Sequence, residues 1–376
     1  MYDVLVVGLG AVGSATVFEL ATRGARVVGV DAFAPPHTLG STHGRSRIIR
    51  EAYFEHPSYV PLVQRAFARW SALERASGLT LYRQTGGLSI GAPSCDLVTG
   101  VIRSAAEHGL DIEVLTRDAL TARFPAFAPS DEMVGVFERN AGMLAPEECI
   151  RAFLKVASAH GAELRTGERV LEIQRVDSGF VATSEHGEIK AGRVVLCAGA
   201  WNRRLFESLD IDIPLIVTRQ TMHWLERRGD ASLRSPDRFP VALIDHGDER
   251  VFYTMPDTGD GVKAAIHHEG VATSPDEVDR AIRASDTEPV KELAARFIPA
   301  VTGPIVESVV CLYANTPDHD FAIGVPRAQP GVVVVSACSG HGFKFASAIG
   351  EAAAQLALEL PVEVDLSHFT VDRFTT

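Results

Sequence analysis

A surplus of basic residues is the first thing missing from this chain. Its 36 Lys and Arg stand against 48 Asp and Glu, a net charge of −12. Binding to phosphate backbones needs a basic footprint, so nucleic acid is excluded as a partner. Long hydrophobic runs are missing too. No apolar stretch approaches the roughly 18 residues of a membrane-spanning helix. The uncharged run Val4 to Phe18 follows Asp3 rather than a basic segment, so it does not read as a secretory leader. Cysteine is scarce: Cys95, Cys149, Cys197, Cys311 and Cys338 are odd in number and lack metal-ligand spacing. They point to reduced thiols in a cytoplasm, not to a disulfide framework or a metal site. Repeats and low-complexity segments are absent. What remains is a soluble, globular chain of 376 residues, 46% hydrophobic, long enough for two domains.

What is present begins with YDVLVVGLGAVGSATVFELATRGARVVGVD, which reads as strand, turn, helix, strand. Val4 to Val7 form the continuous apolar run of a strand covered on both faces of a parallel sheet. Gly8, Gly10 and Gly13 give G-x-G-x-x-G. The first permits the tight turn, the second the approach of a pyrophosphate, and the third close helix–strand packing. The following helix N-terminus offers free N–H groups to the phosphates. Asp31, 23 residues after Gly8, is placed to bind ribose hydroxyls and disfavours a 2′-phosphate. The motif fits NAD and FAD equally.

Beyond Asp31 the run of short βα units breaks off. APPHTLGSTHGRSRIIREAYFEHPSY is a long loop carrying Arg45, Arg47 and Arg50. A helix is expected from about Tyr59 to Ser77, and another near Pro146 that ends at His160-Gly161. TGGLSIGAP looks like the start of a different sheet, and Val194 to Cys197 like a buried strand. Residues 216–314 read mostly as strands, with helices near 276–285 and 289–297. The C-terminal GVVVVSACSGHGFKFASAIGEAAAQLALEL is strand, Gly-rich turn, helix. The expected fold is α/β, a Rossmann-like nucleotide domain with an inserted α+β, mainly antiparallel-sheet substrate domain. Segments 1–85, 141–215 and 318–376 are assigned to the nucleotide domain, 86–140 and 216–317 to the substrate domain.

Four separated stretches are more specific: GLGAVGSAT, GSTHGRSRIIR, FYTMP with GVKAAIH, and VCLYANTPDHDF with SGHGFKFASAIGE. Together they resemble the monomeric sarcosine oxidase and N-methyltryptophan oxidase group of amine-oxidising flavoproteins, collinearly over nearly the whole chain. The resemblance implies a glutathione-reductase-like FAD-binding domain. It further implies FAD attached through a cysteine thioether, with Cys311 of C-x-Y the matching residue. The implied reaction oxidises the C–N bond of a secondary amine carrying a carboxylate. A hydride equivalent goes to the flavin, the imine hydrolyses, and O2 is reduced to H2O2.

Residue roles follow from the same resemblance. Arg50 and Lys344 match the carboxylate-binding pair, and Lys263 the oxygen-activating lysine. Arg47 matches the arginine packed on the flavin ring. His267 and Tyr313 match pocket residues that orient the amine, and Tyr253 is a looser match of that kind. His267 is followed by His268, which leaves the register open. Ser41, His43, Val170, Gly199, Gly340, His341, Gly342 and Lys344 join Gly8, Gly10, Gly13, Asp31, Arg47 and Cys311 as cofactor contacts. The turn Ser339 to Phe343 is expected to open a helix whose N-terminus faces the negative side of a reduced flavin. A monomer is implied by resemblance alone. Three other readings stand: a glycine or D-amino-acid oxidase relative with non-covalent FAD, an NAD-dependent dehydrogenase, and a flavin-binding module without turnover. A buried cysteine is commonly just a small hydrophobe, and Lys344 read in isolation is an exposed first-turn lysine, poorly placed for the helix dipole.

Overall fold

The computed structural model describes residues 1–247, 250–301 and 303–374. At its centre lies the strand Tyr2–Val7, whose Val4, Leu5 and Val6 are wholly buried. Side chains alternate across a strand. Val4 and Val6 therefore join a core with Ala15, Phe153 and Ile349 from three helices, while Leu5 and Val7 face a second core with Ile173, Phe206 and Val334.

Tyr2–Val7 pairs in parallel with Val27–Asp31 on one side and with the second half of Gly187–Leu196 on the other. Val332–Ser336 continues the sheet in parallel beyond Gly187–Leu196, and Glu163–Thr166 does so beyond Val27–Asp31. Antiparallel strands Val170–Val176, Gly179–Ser184 and Ala322–Gly324 complete it. Because the central strands are parallel, Gly8, Asp31, Ala198 and Ala337 gather at one edge, where open α/β sheets hold their ligands.

The second sheet has nine strands and is mainly antiparallel. Ile216–Leu225 pairs with Ile305–Asn315 along its whole length, and among the described residues the one parallel pair of this sheet is Gly87–Gly91 with Val241–Asp245. The order continues through Val262–His267 and Val251–Met255. One face buries Phe252, Val262 and Ala264 against Val290, Ala294 and Phe297 of the helix Ala284–Phe297. The opposite face clusters Met222, Trp224, Ala265, Cys311 and Tyr313. Cys311 and Tyr313 share that face because they are two apart on a strand. A three-stranded sheet, Arg47–Ile49, Gly142–Leu144 and Tyr82–Gln84, stands apart from both.

The helices at Tyr59–Ser77 and Pro146–Ala159 appear where the sequence placed them. Two other expectations fail. In place of helices at 276–285 and 289–297 there is one helix, Ala284–Phe297, with Pro289 inside it. Asp286 holds its first turn, accepting from the Arg283 N–H at 2.8 Å and pairing with Arg219 at 2.7 Å. The preceding segment stays irregular because Arg280 donates its guanidinium protons to the carbonyls of Thr38 and Leu39 rather than lying along a helix. The turn at 339–343 likewise enters a short 3-10 segment, Phe343–Phe345, before the α-helix Ala346–Ala357 starts.

Three helices lock together behind the nucleotide edge. Glu19 and Glu351 are buried and take Arg23, Arg65 and Arg69 as partners, with Arg65 bidentate on Glu351 at 2.6 Å. At the crossing of Ala11–Thr22 with Ala346–Ala357, a Cβ on Gly350 would lie 2.4 Å from the Ala15 Cβ. Alanine at 350 gains about 1 kcal/mol of helix propensity, but forcing a methyl into a packed contact costs about 1–3 kcal/mol. Gly350→Ala is therefore expected to lower the thermal midpoint; a raised midpoint in a melting experiment would show that the crossing opens freely.

Candidate active site

One continuous cavity runs from the edge of the first sheet to the face of the second. At its first end lie Gly8, Gly10, Asp31, Val170 and Gly199, with Phe33 and Trp201; at the other lie Arg50, His267, Gly340 and Lys344. Between them Ser41, Arg47, Tyr253, Cys311, Tyr313, His341 and Gly342 line the wall. Three of the residues singled out in the sequence do not line it: Gly13, His43 and Lys263.

The glycine turn is built as its spacing requires. Gly8 has φ +92°, and a Cβ there would lie 2.5 Å from the Cys197 carbonyl oxygen. A Cβ on Gly13 would lie 1.8 Å from the Gly8 oxygen, so this glycine serves packing beneath the turn. At Gly10, which lines the cavity, an added Cβ would meet only Thr42 Oγ1, at 3.7 Å. The turn is thus closed from behind and open in front, a cradle for a pyrophosphate at the N-terminus of Ala11–Thr22. Asp31 accepts from the Leu9 N–H at 2.7 Å and the Phe33 N–H at 2.8 Å. Burial nevertheless raises its pKa. Phe33 and Trp201 sit 5.4 Å apart at the same end. These residues fit the dinucleotide half of FAD.

At the middle of the cavity, Arg47 donates to the carbonyls of Ser46 and Ser41 at 2.9 and 3.0 Å, and its Nη2 is 4.0 Å from Cys311 Sγ. The Cys311 thiol in turn points to the Ser41 carbonyl at 3.6 Å. The pKa of that thiol is raised: burial outweighs Arg47 and Lys263, and Cys338 adds to the rise. Desolvation of the thiolate is the stronger effect here. Lys263 is buried and donates to the Gly44 and Ser46 carbonyls at 2.8 and 2.9 Å. Burial, then Arg47, hold its pKa well below the lysine range. His43 is buried with its Nε2 unpartnered, and burial, Arg47 and Lys263 push it down to about 3.

The far end is cationic. Arg50 donates to the Ala52 carbonyl at 2.7 Å and to Glu55 at 2.9 Å. Lys344 is buried rather than exposed, because the 3-10 turn swings it inward. Burial first, then Arg50, push it down to about 7, against the opposing effect of Glu55. His267 Nδ1 lies 3.2 Å from the Tyr313 hydroxyl, and burial keeps the imidazole neutral. His267, not His268, lines the cavity; His268 turns outward at φ +63°. Gly340 has φ +77°, and a Cβ there would lie 2.5 Å from the Tyr313 ring and 2.7 Å from His267. Burial raises the Tyr313 phenol well above its usual value and pushes Tyr253 up to about 12. Sequence reasoning missed Glu55 and Met222, both on the cavity wall. Glu55 sits in an irregular loop where no periodicity marks a facing residue.

A nucleotide cradle continuous with a buried cationic chamber defines a dinucleotide-dependent redox enzyme. The chain belongs to the FAD-dependent oxidoreductase family, whose profile matches residues 3–356. It is 36% identical to a monomeric sarcosine oxidase of Streptomyces avermitilis, covering 95% of this chain and 94% of that protein. It is 32% identical to an N-methyl-L-tryptophan oxidase of Yersinia pestis (strain Pestoides F), covering 99% of each. Among solved structures it is similar in fold to NikD, an unusual amino acid oxidase of nikkomycin biosynthesis. That match has 24% identity and a TM-score of 0.86, over 98% of this chain and 97% of that one. The protein is an FAD-dependent oxidoreductase, and the NAD-dependent reading is overturned. Among the described residues no helix is long and apolar enough to cross a membrane.

Lys344 makes the cationic end sensitive to pH. Its ammonium form is present below about 7 and lost above it. Affinity for a simple carboxylate such as acetate is expected to fall by up to about tenfold per unit as pH rises above neutrality, then level off on the permanent charge of Arg50. Titrating acetate against flavin absorbance from pH 6 to 9 measures this. In Lys344→Met affinity should fall about tenfold or more at pH 6 and the pH dependence should flatten; unchanged affinity removes Lys344 from the site.

Proposed function

We propose that the protein oxidises the C–N bond of a secondary-amine amino acid, N-methylated or cyclic, to the imine, with O2 reduced to H2O2. The observation that carries this reading is the pairing of two buried cations, Arg50 and Lys344, with a neutral ring pair, His267 and Tyr313, on one chamber of the FAD cavity. The names of the two relatives, a sarcosine oxidase and an N-methyltryptophan oxidase, support the substrate class. FAD held in this cavity would supply the redox chemistry, as acceptor for the hydride equivalent of the C–H beside nitrogen and as electron donor to O2.

The protein's own groups do the rest. Arg50 and Lys344 bind the substrate carboxylate through charge-assisted hydrogen bonds, with Glu55 yielding its place on Arg50. Their field, added to that of Arg47, disfavours an ammonium in the chamber, so the amine is held with its lone pair free. Neutral His267 and Tyr313 offer the amine N–H an acceptor without adding charge. Lys263 and Arg47 contribute positive potential where electrons accumulate and where O2 becomes an anion. Tyr253, Met222 and Met255 close the chamber with apolar surface.

We assign FAD attachment to Cys311, as a thioether, supported by its place on the cavity wall beside Arg47. One observation favours the competing, non-covalent reading: burial raises this thiol, which lowers its thiolate fraction. The protein works as a monomer, as the name of its Streptomyces relative suggests, and five free thiols fit a reducing cytoplasm.

Acid precipitation separates the two attachments. Yellow colour is expected to stay with the pellet and to move to the supernatant in Cys311→Ala; colour released from the unmodified protein supports the non-covalent form. The oxidase reading is tested by peroxide formation from sarcosine, other N-methyl amino acids, proline and pipecolate. Lys263→Met should slow flavin reoxidation by O2 at least tenfold more than flavin reduction by amine in stopped-flow traces. Equal slowing of both half-reactions would remove Lys263 from the oxygen step.

A further inference from the structure

The two cations of the chamber share a neighbour that no step above uses. Tyr53 is wholly buried and touches both. The Arg50 guanidinium carbon lies 4.3 Å from the centroid of its ring, and Lys344 Nζ donates to its hydroxyl at 3.2 Å. The hydroxyl's own proton also has a fixed destination. His341 Nδ1 lies 2.6 Å from the Tyr53 oxygen, while His341 Nε2 faces the His319 carbonyl oxygen at 3.3 Å. A carbonyl can only accept, so Nε2 carries the imidazole proton and Nδ1 is bare. Tyr53 must then donate to Nδ1, and its oxygen is left to accept from Lys344. Burial keeps both the imidazole and the phenol neutral, so this direction holds across the working pH range. A second Lys344 proton goes to the His341 carbonyl at 2.8 Å. Of the three ammonium protons, one remains for a guest in the cavity that Lys344 lines.

We infer that Tyr53 is the positioning residue of the carboxylate site, its ring fixing the plane of Arg50 and its hydroxyl, oriented by His341, fixing the ammonium of Lys344. This rests on the reading of Arg50 and Lys344 as the carboxylate clamp. A bland alternative is a core aromatic, since the same ring packs on Tyr59 at 4.8 Å and Phe345 at 5.2 Å. A core aromatic supports the fold through its ring and gives its hydroxyl no part in ligand binding.

Tyr53→Phe keeps the ring and removes only the hydroxyl. In the holoenzyme, acetate affinity followed by flavin absorbance is expected to weaken roughly three- to tenfold. KM for an N-methyl amino acid should rise by a similar factor, with kcat changing less. Besides Tyr53, the charged and titratable groups facing Lys344 are Arg50, Glu55, His267 and His341. Taking away an acceptor destabilises the ammonium relative to the amine, so the alkaline fall in acetate affinity should move to lower pH. In a Lys344→Met background Tyr53→Phe should have no further effect. Tyr53→Leu should still weaken binding there, because it also frees Arg50.

An unchanged affinity and pH profile in Tyr53→Phe, with Lys344→Met impaired, overturns the positioning role alone. Equal weakening by Tyr53→Phe with and without Lys344 overturns it as well. Unchanged acetate affinity in Lys344→Met overturns the clamp reading, and the role of Tyr53 with it. A melting midpoint near that of the unmodified protein certifies that Tyr53→Phe is folded; Tyr53→Trp, which keeps a ring but moves the donor, should not restore the pH profile.

Discussion

Holding positive charge away from water without neutralising it is the constraint on which this molecule turns. Burial penalises every charged group, and Lys263 and Lys344 both show it in their lowered pKa values. Backbone carbonyls offset much of that penalty: Gly44 and Ser46 for Lys263, His341 for Lys344, Ala52 for Arg50. A carbonyl satisfies an N–H without cancelling its charge, whereas a carboxylate would do both. Among the described residues Glu55 departs from the pattern, accepting from Arg50 at 2.9 Å. The field in the chamber is thus preserved for substrate and cofactor.

Such an arrangement needs two scaffolds at a fixed distance. Parallel strands bring the nucleotide turn, Asp31 and the turn after Ala337 to one edge. The antiparallel sheet presents Cys311, Tyr313 and His267 on the facing wall, backed by the helix Ala284–Phe297. Gly340 lets the two approach closely, lacking the Cβ that would collide with Tyr313 and His267. The segment carrying Arg47, Arg50 and Tyr53 fills the remaining side: Arg47 opens the short strand Arg47–Ile49, Arg50 and Tyr53 follow it in irregular backbone, and His267 and Tyr313 come from regular strands.

Much of this was legible in the chain itself, and the reasons are physical. The apolar run Val4 to Val7 and the spacing of Gly8, Gly10 and Gly13 have few other uses, so strand, turn and helix could be read directly. The helix Tyr59–Ser77 has one continuous buried face and a left-handed Gly78 at its end. Other features depended on tertiary contacts. The segment before Ala284 is pinned by Arg280 to a loop 240 residues away, which no local pattern encodes. The inward turn of Lys344 follows from a 3-10 segment indistinguishable by composition from a first helical turn. Glu55 and Tyr53 lie in a loop without periodicity, so their facing partners could not be inferred.

The central strand has a further consequence for how the protein is made. Tyr2–Val7 is bordered by residues near 191–196, these by 332–334, and the last cationic side chain of the chamber is residue 344. A ribosome adding some 5–20 residues per second therefore releases the opening strand many seconds before its neighbours exist. The nascent N-terminal half must wait with an unpaired apolar edge, and the cavity that Lys344 lines closes only when translation is all but complete.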